Sequence, residues 1–281
     1  MGNFMMTPVH LLEMVARSNC GLVRLKNEDA VFADARHGLA ILADGMGGYN
    51  AGEVASSMAV SRLAESLLRL AALGASEVPP GGSGPDAVAQ HLGDEIGAVN
   101  SAIFHAAATN PHYAGMGTTL VVAWFYGARM SVAYLGDSRL YRWRRGRFEQ
   151  LTRDHSLLQE QIDGGIITRE EARHARHRNL VTRALGVDDI VEAEINDHEI
   201  LPGDIVLLCS DGLTDMVSDA DIAWVLQTQA DNLSRAADEL IELANANGGR
   251  DNVSIILVRA MGDAPRPGKW WQRLLTRLKQ A

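Results

Sequence analysis

Two spacings of apolar residues alternate along this chain of 281 residues. Unbroken apolar runs read as strands buried on both faces, and recurrence at every third or fourth position reads as amphipathic helix. Residues 38–43 form the first unbroken run and are bounded by Asp44-Gly45, so a strand ending in a turn is expected. Over 51–73, Val60, Leu63, Ala64, Leu67, Leu68 and Ala71 keep helical spacing. The stretch 74–85 is rich in Gly and Pro and reads as a loop. A second helix is expected from 86 to about 109, with Pro111 just past its end.

Strands dominate the middle of the chain. Residues 118–125 and 130–135 flank Tyr126-Gly127-Ala128, and 139–143 and 147–151 flank a short turn containing Gly146, so both pairs read as hairpins. Residues 154–189 are polar, carry His155, His174 and His177, and are broken by Gly164-Gly165 and Gly186. That segment is expected to be a partly helical surface insertion. Strands return at 191–200 and 205–209, helices at about 219–227 and 233–245, and a last buried strand at 253–258. Strands and helices come in blocks rather than in strict alternation. This points to an α+β fold with antiparallel sheets flanked by helix pairs, not to a doubly wound parallel sheet.

Composition narrows the classes. Hydrophobic residues make up 47% of the chain, enough for a sizeable core in one large β-rich domain. A formal net charge of −9 disfavours nucleic acid as a partner. The two cysteines, Cys20 and Cys209, make neither a disulfide framework nor a zinc site and read as reduced thiols. No apolar stretch is long enough to span a bilayer, and no secretory signal is visible. MGNFMM opens like a myristoylation site, but Met6 stands where Ser or Thr is wanted. A cytoplasmic protein is the expectation.

Five short acidic motifs carry the chemistry: RLKNED (Arg24 to Asp29), LADGMGG (Leu42 to Gly48), LGDSR (Leu135 to Arg139), CSDG (Cys209 to Gly212) and GRDN (Gly249 to Asn252). Each places an aspartate at a strand end or tight turn. If those strand ends converge, the carboxylates repel one another and divalent cations are the usual remedy. Hard oxygen donors suit Mg2+ or Mn2+, and three glycines after Asp44 let backbone carbonyls join the ligands. Four independent turn aspartates remain the plainer alternative. Arg24 offers a planar fork for a phosphate, although an arginine near carboxylates is also a common surface ion pair.

In these motifs the chain resembles the metal-dependent Ser/Thr protein phosphatases (type 2C), bacterial branch. The likeness covers about residues 15 to 260. It also rests on GMGTTL (Gly115 to Leu120), YLGDSRLY (Tyr134 to Tyr141), TRDHS (Thr152 to Ser156), RNLVTRALG (Arg178 to Gly186), CSDGLTD (Cys209 to Asp215) and GGRDNVSIILV (Gly248 to Val258). It implies a four-layer α-β-β-α sandwich, two antiparallel sheets with helix pairs outside and a binuclear metal centre at one end. By resemblance, Asp44 would bridge two Mn2+ or Mg2+ ions, with the Gly45 carbonyl on the second. Asp211 and Asp251 would bind the first, and Glu28 would hold the second through water. Asp137, with Asp211, would serve a weaker third ion. Asp29 and Asn252 would support the cluster, and Arg24 would grip the substrate phosphate, sharing the catalysis with Asp44. The implied reaction is hydrolysis of phosphoserine and phosphothreonine on proteins by a metal-bridging hydroxide, opposing a bacterial Ser/Thr kinase.

One departure stands out. Many eukaryotic members carry a histidine after the bridging Asp-Gly, as acid for the leaving group; here it is Met46, which cannot donate a proton. A metal-bound water is expected to do so instead, with His155, His174 and His177 as weaker candidates. Residues 154–189 correspond to the family's flap and are expected to shape protein-substrate choice, the alternative being a passive loop. The domain is expected to occupy residues 1–261. In 262–281, two prolines precede Trp270, Trp271, Leu274, Leu275 and Leu278 on one helical face, amid five basic residues. This linker and basic amphipathic helix would dock on a partner or membrane surface, or fold back on its own domain. Two other function classes stay open: a pseudophosphatase that binds phosphoproteins without cleaving them, against which the complete ligand set argues, and an acidic scaffold whose metals are only structural.

Overall fold

The computed structural model describes residues 10–47, 51–73, 85–168, 171 and 180–263. In chain order, strands β1 (His10–Asn19), β2 (Asp29–Asp34) and β3 (Leu39–Met46) precede helices α1 (Ala51–Leu73) and α2 (Pro85–Thr109). A short 3-10 turn, Pro111–Tyr113, leads to β4 (Gly117–Thr118), β5 (Leu120–Tyr126), β6 (Arg129–Leu135), β7 (Arg139–Arg144) and β8 (Arg147–Gln150). Helix α3 (Leu157–Asp163) opens the polar insertion, and β9 (Glu194–Glu199) and β10 (Ile205–Cys209) come after it. The chain then forms α4 (Asp211–Thr214), α5 (Asp219–Thr228), α6 (Leu233–Ala246) and β11 (Val253–Asp263).

The strands make two antiparallel sheets. One has the order β1-β11-β10-β7-β8; the other has β2-β3-β5-β6-β9, with β4 pairing on β3. Side-chain alternation along β3 shows why its sequence is apolar throughout. Leu39, Ile41 and Ala43 pack with α1 and α2 residues such as Leu63, Leu67 and Leu92. Ala40 and Leu42 face the other way, into a core with Val206, Leu208, Ile256 and Val258 of the second sheet. On the far side, Leu207, Ile255 and Leu257 meet Ile222, Val225, Leu240 and Ala244 of α5 and α6. Three apolar layers between four structural layers give the α-β-β-α sandwich expected from the resemblance.

The helices stop and start where the sequence allows. Ser218 caps α5 by accepting from Asp221 N at 3.2 Å, and Asn232 caps α6 by accepting from Arg235 N at 3.0 Å. Leu233, Ala236, Ala237, Leu240, Ile241 and Ala244 of α6 are all buried, a stripe at helical spacing.

Several details depart from the sequence reading. Strands β1 and β2 were not among the expected elements. The run expected over 118–125 is two strands, β4 pairing with Gly45 and Met46, and β5 pairing with residues 39–42. The strand expected over 191–200 is confined to Glu194–Glu199. Asp44-Gly45 is not a turn: both residues stay in β3, with Asp44 opposite Asp29 and Gly45 opposite Thr118. β11 runs on through Gly262 and Asp263, past the expected start of the linker, and the helix proposed further on lies outside the described residues, as do His174 and His177.

Candidate metal and phosphate site

The acidic motifs meet at one end of the sandwich, where ends of strands from both sheets come together. Glu28 and Asp29 stand at the start of β2, Asp44 near the end of β3, and Asp137 just beyond β6. From the other sheet come Asp211, the first residue of α4 after β10, and Asp251, just ahead of β11. Glu28, Asp44, Asp137, Asp211 and Asp251 all line one cavity of about 220 Å³, with Arg24, Gly45 and Asn252 beside them. Every residue expected to bind metal is therefore in one place. Four unconnected turn aspartates are excluded.

Close backbone approach builds this end. A Cβ on Gly45 would fall 2.2 Å from the Gly52 carbonyl oxygen in the first turn of α1, and one on Gly212 would fall 2.0 Å from the Asn252 carbonyl oxygen. Only glycine lets α1 and the β10–α4 junction press in this far. Hydroxyls fix the aspartates. Thr118 Oγ1 donates to Asp44 O at 2.8 Å, and Asp44 N donates to Thr119 Oγ1 at 3.0 Å. Ser210 Oγ donates to Asp29 Oδ2 at 3.0 Å while accepting from Ser254 N at 2.9 Å. Asn252 clamps the Arg24 loop: its Oδ1 accepts from Glu28 N at 2.8 Å, and its Nδ2 donates to Cys20 O at 3.0 Å and Lys26 O at 2.8 Å. These contacts are all to backbone in the loop that carries Arg24 and Glu28.

The electrostatics are those of crowded, unneutralised carboxylates. Burial, then the charges of Asp29, Asp211, Asp137 and Asp251, push the Asp44 carboxyl well above the usual carboxylate range, although the residue keeps partial solvent contact through the cavity. Burial and the neighbouring Asp137, Asp215 and Asp251 do the same to Asp211. Asp29 and Asp137 are each pushed up to about 6, chiefly by burial. Asp29 Oδ1 is buried without a hydrogen-bond partner. Such a site relaxes either by binding protons or by binding cations. Among the described residues, no three carboxylate, thiol or imidazole groups already close on a single point. The donors ring a cavity instead. That arrangement suits ions of the Mg2+ kind, which keep several waters and take only one or two carboxylates each. The all-oxygen donor set fits hard divalent cations.

Arg24 sits at the cavity with its side chain half exposed, and its Nη2 donates to Asp251 Oδ2 at 2.7 Å. That hydrogen bond holds its guanidinium above the ordinary value. The arginine is thus both a member of the site and a partner of one of its carboxylates.

His155 does not line the cavity. Its Nδ1 accepts from Gly136 N at 3.1 Å, its Nε2 pairs with Glu194 Oε1 at 3.1 Å, and its ring stacks on Tyr134 at 5.4 Å. With both ring nitrogens engaged, it fastens the insertion to the Gly136-Asp137 turn. Arg139 fastens the same segment through a forked pair with Asp154, the shortest contact being 2.6 Å. Sequence reasoning gave no role to Thr118, Thr119 or Ser210. The doublet in GMGTTL was the available signal.

The residues 33–253 match the family model described as Protein phosphatase 2C. The chain is 42% identical over 247 residues to the serine/threonine protein phosphatase PstP of Mycobacterium tuberculosis, covering 88% of this chain and 45% of PstP. It therefore spans less than half the length of that relative. It is 38% identical over 245 residues to the serine/threonine phosphatase stp of Listeria welshimeri, covering 86% of this chain and 93% of stp. Among solved structures, the catalytic domain of PstP in complex with two manganese ions superposes with a TM-score of 0.75 at 42% identity, covering 89% of this chain and 98% of that one.

Proposed function

The chain belongs to the protein phosphatase 2C family, and we propose that it is a metal-dependent phosphatase acting on phosphoserine and phosphothreonine of proteins in the cytoplasm, opposite a bacterial Ser/Thr kinase. The observation that carries this reading is the meeting of five carboxylates from both sheets around one cavity with Arg24 at its side. Asp44, the Gly45 carbonyl, Asp211, Asp251 and Glu28 would hold two Mn2+ or Mg2+ ions, and Asp137 with Asp211 a weaker third. Bound there, such ions supply a water activated at neutral pH and neutralise charge on phosphoryl oxygens.

The chain's own groups do the rest. Thr118 and Thr119 bond the Asp44 carbonyl and amide, so the stretch of β3 that presents its carboxyl to the cavity is held from both sides. Asn252 sets the height of the loop bearing Glu28 and Arg24. Arg24 orients the phosphate through two N–H donors once its fork turns from Asp251. Met46 lines the cavity but has no proton to give, and His155 is spent on Gly136 and Glu194, which among the described residues favours solvent in the site as the proton source for the leaving alkoxide. Residues 1–261 form the catalytic unit in this reading, and 262–281 a linker and basic helix that docks elsewhere.

The test is release of phosphate from p-nitrophenyl phosphate with and without Mn2+. Turnover should require the metal, and Asp211→Asn should lower it at least about 100-fold, since removing one group acting on the transition state costs of that order. Metal-independent turnover, or an Asp211→Asn variant as active as the parent, would end the proposal. A protein that binds phosphopeptides tightly yet releases no phosphate would be a pseudophosphatase.

A further inference from the structure

Next to the carboxylate cavity lies a second one, of about 280 Å³, whose lining carries no charged residue. Its walls are Phe104, Ala107 and Ala108 on the last turns of α2 and Val187 in the insertion, and Met116 and Gly186 also line it. The two cavities share a partition. A Cβ built on Gly117 would lie 2.9 Å from Val187 Cγ2 and 3.6 Å from Met46 Cγ, so a wall residue of each cavity rests on that one glycine. The groove is preformed. Buried Asn100 accepts from Gly186 N at 2.7 Å and donates to Asp188 O at 2.9 Å and Asp189 O at 3.0 Å, which pins the Val187 wall against α2.

Resting on the phosphatase reading above, we propose that this groove is a specificity pocket for one apolar side chain of the phosphoprotein substrate, within about three residues of the phosphorylated one. Three observations select that occupant. The groove adjoins the first cavity across the Gly117 partition, so a substrate whose phosphate enters that cavity has the groove within reach of its chain. An extended chain advances about 3.3 Å per residue, so a residue two or three places away reaches the neighbouring groove. The groove offers apolar surface with open access, Val187 being 54% exposed, and apolar walls reward an aliphatic or aromatic side chain. Its edge carries Asp188 and Asp189, both exposed, so an acidic neighbour in the substrate meets like charge.

The experiment uses the full chain with Mn2+, p-nitrophenyl phosphate, and a set of phosphothreonine peptides in which a single leucine is moved through the three positions on either side of the phosphothreonine in an alanine-serine background. One or two leucine positions should raise kcat/KM roughly tenfold over the leucine-free peptide, mainly through KM. Ala108→Trp, at an exposed helix position, should fill the groove, abolish that gain, and leave p-nitrophenyl phosphate turnover within about twofold of the parent. Equal rates on all peptides, with p-nitrophenyl phosphate still hydrolysed, would overturn the pocket alone. No hydrolysis of p-nitrophenyl phosphate would overturn the phosphatase reading and the pocket with it. A leucine preference that emerges only in a Trp270→Ala, Trp271→Ala double variant would assign the groove to the chain's own C-terminal segment and likewise overturn the proposal.

Discussion

At the scale of single residues, the site depends on groups that hold its loops and strands in place. Asn252 is 5% exposed and holds three backbone groups of the Arg24 loop. Replacing it by Ala removes three hydrogen bonds to a part-buried loop, each contributing about 0.5–1.5 kcal/mol. Asn252→Ala should therefore lower the melting temperature by several degrees and raise the KM for p-nitrophenyl phosphate, whereas Asn252→Asp should recover part of the loss by keeping the acceptor for Glu28 N. Identical behaviour of the two variants would count against the clamp. Arg24→Ala should reduce kcat/KM about 10–100-fold, the worth of charge-assisted hydrogen bonds to a phosphate, with thermal stability little changed because the side chain is half exposed. Asp44 and Asp211 were legible in the sequence because aspartate before glycine is conspicuous after an apolar run. The hydroxyls that hold Asp44 and Asp29 were not, since Thr118 and Thr119 bond the Asp44 backbone and Ser210 the Asp29 carboxylate across long sequence separations, which no local pattern encodes. The pairing of Arg24 with Asp251 spans 227 residues of chain and was equally invisible.

Among the elements, the insertion over 154–189 has both of its described ends tied to the domain beside the cavity. His155 and Arg139 tie down its start, Ser156 pairs with Val181, and Val181 lines the carboxylate cavity. Excising 164–180, which leaves those anchors, should lower activity on phosphoproteins at least several-fold more than activity on p-nitrophenyl phosphate. Equal losses on both would make the segment a passive loop. Helices α1, α2, α5 and α6 and the central strands were readable because their periods are clean, and Ser218 and Asn232 cap α5 and α6. β1 was missed because it lies at a sheet edge, where Leu12, Met14 and Ala16 face the core while Glu13 and Arg17 alternate with them. β3 was cut short because Asp44-Gly45 mimics a turn. The pairing of Gly45 and Met46 with Thr118 and Gly117 carries the strand three residues past Ala43 and so sets Asp44 inside the sheet.

For the whole molecule, the carboxylate cluster makes stability depend on pH in an unusual direction. Asp29 and Asp137 are raised to about 6 in the folded protein, above their unfolded values, so the metal-stripped fold binds protons more tightly than the unfolded chain does. That contribution is complete at pH values below the ordinary aspartate range and is lost as pH rises through about 6. The melting temperature of metal-stripped protein should thus fall by a few degrees between about pH 5 and pH 7.5, and saturating Mn2+ should remove the slope by replacing protons with cations. Metal-stripped protein that gains stability across this window would contradict the cluster's electrostatics. The pairing of Arg24 with Asp251 has one more consequence. A single guanidinium cannot serve two anions at full strength, so while Asp251 lacks a cation it competes with any incoming ester for the same fork. Catalysis would then take a compulsory order, with ions arriving ahead of the phosphorylated residue, and inorganic phosphate acting as an inhibitor only once the cations are in place.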